Sequence, residues 1–89
     1  MTIQRSMKIR ENANRGICPH TFTIVGRVQA GVVWIDVEKD GRAFCEDTRP
    51  QEALELVGYF TIEKASLKRL RATIEQVAIE TALSLEPRA

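Results

Sequence analysis

Few residues in this chain have the types and spacing that chemistry requires. His20 is the only histidine, and Cys18 and Cys45 are the only thiols. A zinc site would have to recruit Cys18, His20 and Cys45, but structural zinc takes four ligands, with paired cysteines about two to four residues apart. This spacing does not supply them, so no metal ligand is expected. General-base catalysis needs a titratable group held by an orienting partner, and no Ser or Asp stands at motif spacing beside His20. Asp36, Glu38, Asp40, Glu46 and Asp47 crowd one segment. A carboxylate pair is conceivable there, yet charges on a solvated strand face are the simpler account. Gly26, Gly31, Gly41 and Gly58 stand singly and open no strand–glycine-loop–helix unit that would cradle a phosphate. The sequence therefore predicts no catalytic residue and no cofactor.

Basic residues are the next candidates. Lys64, Lys68, Arg69 and Arg71 place four positive charges in eight residues, and Arg5, Lys8, Arg10 and Arg15 place four more near the N-terminus. Phe22, Trp34 and Phe44 could stack bases if they lay on an open sheet, as in sheet-based RNA readers. Two observations oppose nucleic-acid binding. The net charge is only +1, from 13 Lys and Arg against 12 Asp and Glu, which gives no general pull toward a polyanion. Trp34 also lies in an apolar run, so the rings are expected in the core. Lys68 and Arg71 near Glu75 fit a solvated helix face. Nucleic-acid contact through Lys64, Lys68, Arg69 and Arg71 is thus the alternative reading, not the leading one.

The elements that position these residues follow from length and periodicity. A chain of 89 residues, 44% hydrophobic, holds one domain and is not disordered throughout. Its longest uncharged apolar run, residues 30–35, is far short of the ~20 residues that span a bilayer. Residues 1–10 contain no apolar leader core, so cytoplasmic residence with reduced thiols is expected.

Residues 1–20 read as an N-terminal segment, with a possible edge strand at 2–10 and a breaker-rich loop at 11–19. Residues 21–46 read as the sheet: a strand at 21–28 with a bend or bulge at Gly26, a strand at 32–38, and a partner at 42–46 in which Cys45 is a small core residue. Asp40-Gly41 supplies the positive φ values of a tight hairpin turn. The period then changes from two to 3.6. Thr48 to Gln51 resembles a capping box, and a short helix follows at 50–57, with Ala53, Leu54 and Val57 inward and Gly58 closing it in a left-handed turn. Thr61 is placed to cap a long helix at 62–85, stopped by Pro87, with Leu67, Leu70, Ile74, Val77, Ala78, Thr81 and Leu85 along its core stripe. The fold class is α+β: three or four antiparallel strands covered by a short helix (48–58) and a long C-terminal helix (61–86).

The segments VWIDVEKDGRAFC, EDTRPQEAL and LKRLRATIEQVA resemble a family of small proteobacterial proteins known only as a domain of unknown function. The matching residues are Asp40, Gly41, Cys45, Thr48, Ala53, Leu54, Arg71, Ile74, Glu75 and Ala78, within residues 33–78. This resemblance implies an order of elements and no activity.

The long helix carries one more pattern. Ala72, Ile79 and Leu83 form a second apolar stripe, roughly 120–160° around from Leu67. Lys64, Lys68, Arg69 and Arg71 crowd the N-terminal half, and Glu75, Glu80 and Glu86 the C-terminal half, against the helix dipole. An antiparallel two-fold pairing would set each basic half beside its partner's acidic half. A helix this long is also expected to overhang its own core. The leading expectation is therefore a non-enzymatic interaction module that forms a homodimer through Ala72, Ile79 and Leu83. The bland account puts Ile79 and Leu83 under the chain's own N-terminal strand.

Overall fold

A computed structural model describes residues 2–13, 16–60 and 62–84, with the backbone alone at 10–13 and 16–18. Four strands come first: β1 (Thr2–Ala13), β2 (Gly16–Gln29), β3 (Val32–Lys39) and β4 (Arg42–Thr48). Two helices follow, α1 (Pro50–Val57) and α2 (Lys64–Leu83). The sheet is antiparallel in the order β1-β2-β3-β4, and both helices pack on one face of it, as the α+β reading required.

Two turns set the meander. Ala30-Gly31 and Asp40-Gly41 each hold consecutive positive φ values, 55° with 73° and 51° with 81°. That is the two-residue turn whose twist matches the strands it joins. Between β1 and β2 the pairing runs from Thr2↔Arg27 to Ala13↔Gly16, whereas β3 pairs with β2 only from Phe22 onward. Residues 8–13 and 16–21 therefore form a two-stranded ribbon that runs beyond the sheet and stretches the molecule to 54 Å against 20 and 19 Å. Residues 11–13 and 16–19 of the polar segment, expected as a loop, are strand. Their backbone groups pair across the ribbon, so they need no buried side-chain face to be ordered.

Alternation sorts the sheet into two faces. Ile9, Phe22, Ile24, Val33, Ile35 and Val37 face the helices and meet Ala53, Val57, Leu70, Ile74 and Val77 in the core. Phe60, in the turn between the helices, stacks edge-on against Phe22 at 5.1 Å and tilted against Phe44 at 4.2 Å between ring centroids. Trp34 lies on the opposite, uncovered face, paired with Arg27. Its expected place in the core is corrected: Val33 and Ile35 claim the inward positions, and period two sends Trp34 out.

Gly26 is neither bend nor bulge. It pairs with Ile35 inside β2, where α2 presses directly on the strand. A Cβ at this position would collide with Thr81 and come within 2.7 Å of a Val77 methyl. Glycine is required for close approach, not for turning.

The ends of the helices differ from the sequence reading. Thr48 makes no capping box; it is buried, and its hydroxyl donates to the Ile35 carbonyl at 2.6 Å, leaving extended Arg49 as the N-cap ahead of Pro50. Gly58 is right-handed, at φ −64°, and the chain turns through bonds from Gly58, Tyr59 and Phe60 N–H to the Glu55, Leu56 and Val57 carbonyls. α2 starts at Lys64 with Glu63 as its N-cap, two residues later than expected, and Thr61, Leu85 and Pro87 lie outside the described residues. Nor does α2 overhang. Ser66, Leu70, Ile74, Val77 and Thr81 are buried along nearly its whole length.

Gly26→Ala should destabilise the fold by about 1–3 kcal/mol, the usual cost of overpacking a tight contact, read as a lower denaturation midpoint at unchanged slope. Adding Thr81→Ala should recover part of that loss. A single variant as stable as the parent would refute the contact's role.

Candidate functional site

The outward side of α2 is built by rotation alone. Burial of Leu70, Ile74, Val77 and Thr81 fixes the helix about its axis, and at ~100° per residue the opposite side carries Ala65, Ala72, Ile79 and Leu83. All four are exposed; Ile79 and Leu83 keep 55% and 57% of their surface. The N-terminal strand does not cover them. β1 instead touches the flank of α2, where Arg5 donates to Glu80 at 2.9 Å.

The four cations do not converge. Lys64, Lys68 and Arg71 line a shallow concavity of about 780 Å³ with Ala65, Leu67, Ala72 and Glu75. The Arg71 guanidinium also packs on Gly58, with Nη2 3.0 Å from where a Cβ would stand. Arg69 faces elsewhere, onto a cavity of about 510 Å³ between the β1–β2 ribbon and the first turn of α2, together with Lys8, Pro19, Glu63, Ala65 and Ser66. Sequence reasoning missed this second cavity. Its only signal was Ser66, a polar residue one turn before Leu70 on the stripe that α2 buries.

The outer sheet face gathers charge around Trp34. Arg27 bonds Asp36 through Nε at 3.1 Å and also pairs with Asp47, while the Asp47 N–H donates to Asp36 at 2.7 Å. Asp47 holds a positive φ of 54° beside the register shifts of β4, so this cluster fastens an irregular edge strand. The Arg49 guanidinium lies 5.9 Å over the Trp34 ring, and the indole N–H donates to the Gln29 carbonyl. Phe22 is buried and Phe44 packs against the core. The rings and the α2 cations thus belong to different layers, and Trp34, the outward one of the three, sits between arginines and carboxylates.

His20 has a partner that no local motif announced. Its Nδ1 lies 2.6 Å from Asp40 Oδ2, and Asp40 Oδ1 accepts from the Thr21 N–H at 2.9 Å. The pair ties the start of the ribbon to the β3–β4 turn. The Thr21 N–H first, and His20 second, hold the Asp40 carboxyl below its ordinary range. Cys45 is half-buried beside the core, as a strand residue facing it should be. Desolvation pushes its thiol up, partly offset by Thr48, whose Oγ1 lies 3.8 Å from Sγ. The Cys18 side chain lies outside the described residues. Among those described, no group of three His, Cys, Asp or Glu could hold a metal ion, and no helix is long and apolar enough to cross a membrane.

Compared with family models, with curated proteins and with solved structures, the chain gives no match.

Two titrations check these environments. A depressed folded-state pKa means the Asp40 carboxylate stabilises the fold above the unfolded-state value, near 4, and that this contribution is lost as pH falls through the lower folded value. Asp40→Asn, which tolerates the same positive φ, should be less stable than the parent at pH 7, with the difference closing in the acid range below pH ~4. A difference unchanged from pH 7 to pH 2 would refute it. Alkylation of Cys45 in the folded chain should be slower at neutral pH than that of an ordinary thiol, and should keep accelerating at pH values where an ordinary thiol has levelled off.

Proposed function

We propose that this chain is a non-enzymatic interaction module that pairs with a second copy of itself along the outer side of α2. The observation that carries the reading is the exposure of Ile79 and Leu83, 55% and 57%, directly opposite the buried stripe of a helix whose rotation is fixed. Two large aliphatic residues in a row with Ala72 and Ala65, all at helical spacing, invite cover.

The pattern specifies the partner. Ala65, Ala72 and Ile79 repeat every seven residues, the spacing that keeps one seam facing another helix. In an antiparallel pair centred on Ala72, Ile79 of one copy meets the small Ala65 of the other. Glu75 then falls beside the other copy's Lys68, twice over by symmetry, so opposite charges meet. A parallel pair would set the cationic halves together. Glu80 takes no part, because it is held by Arg5 in the same chain.

The remaining chemistry is occupied structurally, which is why the reading is a binding one. The His–Asp pair joins a turn to a ribbon, and the half-buried thiol points at the core. Nucleic-acid contact through Lys64, Lys68, Arg69 and Arg71 gains little from the geometry, since Arg69 diverges from the others and Arg71 lies on Gly58.

Light scattering after size exclusion should give about twice the 10.0 kDa chain mass. Ile79→Glu with Leu83→Lys should return the protein to a monomer with unchanged far-ultraviolet circular dichroism. A wild-type chain that stays monomeric at high micromolar concentration would sink the proposal.

A further inference from the structure

We infer that the cavity between the β1–β2 ribbon and the N-terminus of α2 is a binding site for a phosphoryl anion, either free phosphate or a small phosphomonoester. The inference goes beyond the self-association reading and does not depend on it.

It starts from an uncapped helix end. The first intrahelical bond of α2 runs from the Leu67 N–H to the Glu63 carbonyl at 2.8 Å, so the N–H groups of Lys64, Ala65 and Ser66 have no partner within the helix. The N-cap residue, Glu63, is extended and its side chain caps nothing. Three unpaired donors at the positive end of a 20-residue helix attract an anion through both hydrogen bonding and the helix dipole.

The second observation is Ser66 itself. It is only 8% exposed, and among the described residues its hydroxyl makes no hydrogen bond; it does not return to a carbonyl of the preceding turn, as a helical serine commonly does. Among the described residues every fully enclosed side-chain nitrogen or oxygen is paired. The unpaired Ser66 oxygen must therefore keep an opening, and the opening available to it is the cavity that Ser66 lines. A hydroxyl that can reach a partner only through this cavity is satisfied by whatever occupies it, water or a ligand's oxygen.

The third is charge. Lys8 and Arg69 line the same cavity, and among the described residues neither side chain has an ion pair or a hydrogen bond. Backbone N–H groups, a hydroxyl, an ammonium and a guanidinium are the donor set that phosphoryl oxygens take, with arginine matching two oxygens at once. Glu63 opposes them from the rim. Two cations and a helix N-terminus still outweigh one exposed carboxylate. The volume, about 510 Å³, falls in the range of small-molecule sites and leaves room for more than the anion alone. No glycine-rich loop is involved; the cradle is a helix end that the fold leaves uncapped.

The test is a titration of the isotopically labelled full chain with inorganic phosphate, followed by amide nitrogen–proton spectra at constant ionic strength against chloride. A second arm uses adenosine monophosphate. Saturable shifts should centre on the amides of Lys64, Ala65 and Ser66. Ser66→Ala and Arg69→Gln should each weaken binding on the order of tenfold, the loss of one hydrogen bond to a charged group. Glu63→Gln should strengthen it, and Arg42→Gln, remote on β4, should leave it unchanged. Tighter binding of adenosine monophosphate assigns a phosphomonoester, and equal binding assigns free phosphate. Shifts that do not saturate, that chloride reproduces, or that survive Arg69→Gln undiminished would overturn the inference. Because Arg69 is exposed, that variant folds whether or not Ser66→Ala does.

Discussion

Where α2 crosses β2, the strand has no side chain, and Thr81 and Val77 fill the space a Cβ would need. That contact sets the depth and the rotation of the long helix together. With Thr81 and Val77 pressed on the strand, one, two and three turns back along the same line lie Ile74, Leu70 and Ser66, and all of them must face the sheet. The rotation that buries these five leaves Ala65, Ala72, Ile79 and Leu83 pointing away. It also draws Ser66 against the ribbon without giving its hydroxyl a partner. Both surfaces proposed above are thus consequences of one close packing contact and not separate features of the sequence.

The sheet is held to this arrangement from its other side. Its outer face is polar, so little apolar area stabilises it there, and the irregular β4 would otherwise be a loose edge. Arg27, Asp36 and Asp47 supply the fastening. The Asp36 carboxylate takes both the Arg27 guanidinium and the Asp47 N–H, which holds the positive-φ residue that turns β4 inward. Thr48 then reaches the Ile35 carbonyl, and Pro50 begins α1 in the right place to put Ala53 and Val57 into the core. A partly buried ion pair of this kind contributes geometry more than stability.

Much of this was legible from residue types. Asp40-Gly41 predicts its turn because two consecutive positive φ values are costly for most other residues, and Pro50–Val57 is readable from Pro50 and the Ala53–Val57 spacing. The exposed stripe on α2 is readable because rotation about a helix follows from spacing alone. The failures have physical reasons. The ribbon at 11–13 and 16–19 is ordered by cross-strand backbone bonds, which leave no signature in side-chain pattern. Trp34 was misplaced because Val32 to Ile35 is apolar at four consecutive positions and reads as buried on both faces, although Asp36 and Glu38, in phase with Trp34, mark its side as the outward one. Gly26 reads the same in sequence whether it bends a strand or admits a helix. Thr48 prefers a buried carbonyl to a helix N-H, a choice only tertiary packing decides.

The candidate sites divided along the same line. Ala72, Ile79 and Leu83 needed only helical geometry, so the sequence found them. The cavity lined by Lys8, Ser66 and Arg69 joins residues about 60 positions apart through the pairing of β1 with β2 and the packing of α2 on both, and no spacing rule connects them. The cation cluster shows the converse. Four basic residues within eight positions suggest one surface, yet the helix sends Arg69 roughly 100° away from Lys68, onto the side where the ribbon stands. Lys68 is left on the outer side and Arg69 at the ribbon cavity. One turn of helix therefore presents two surfaces of different chemistry: exposed apolar side chains with flanking charge on one side, and hydrogen-bond donors without intrahelical partners on the other.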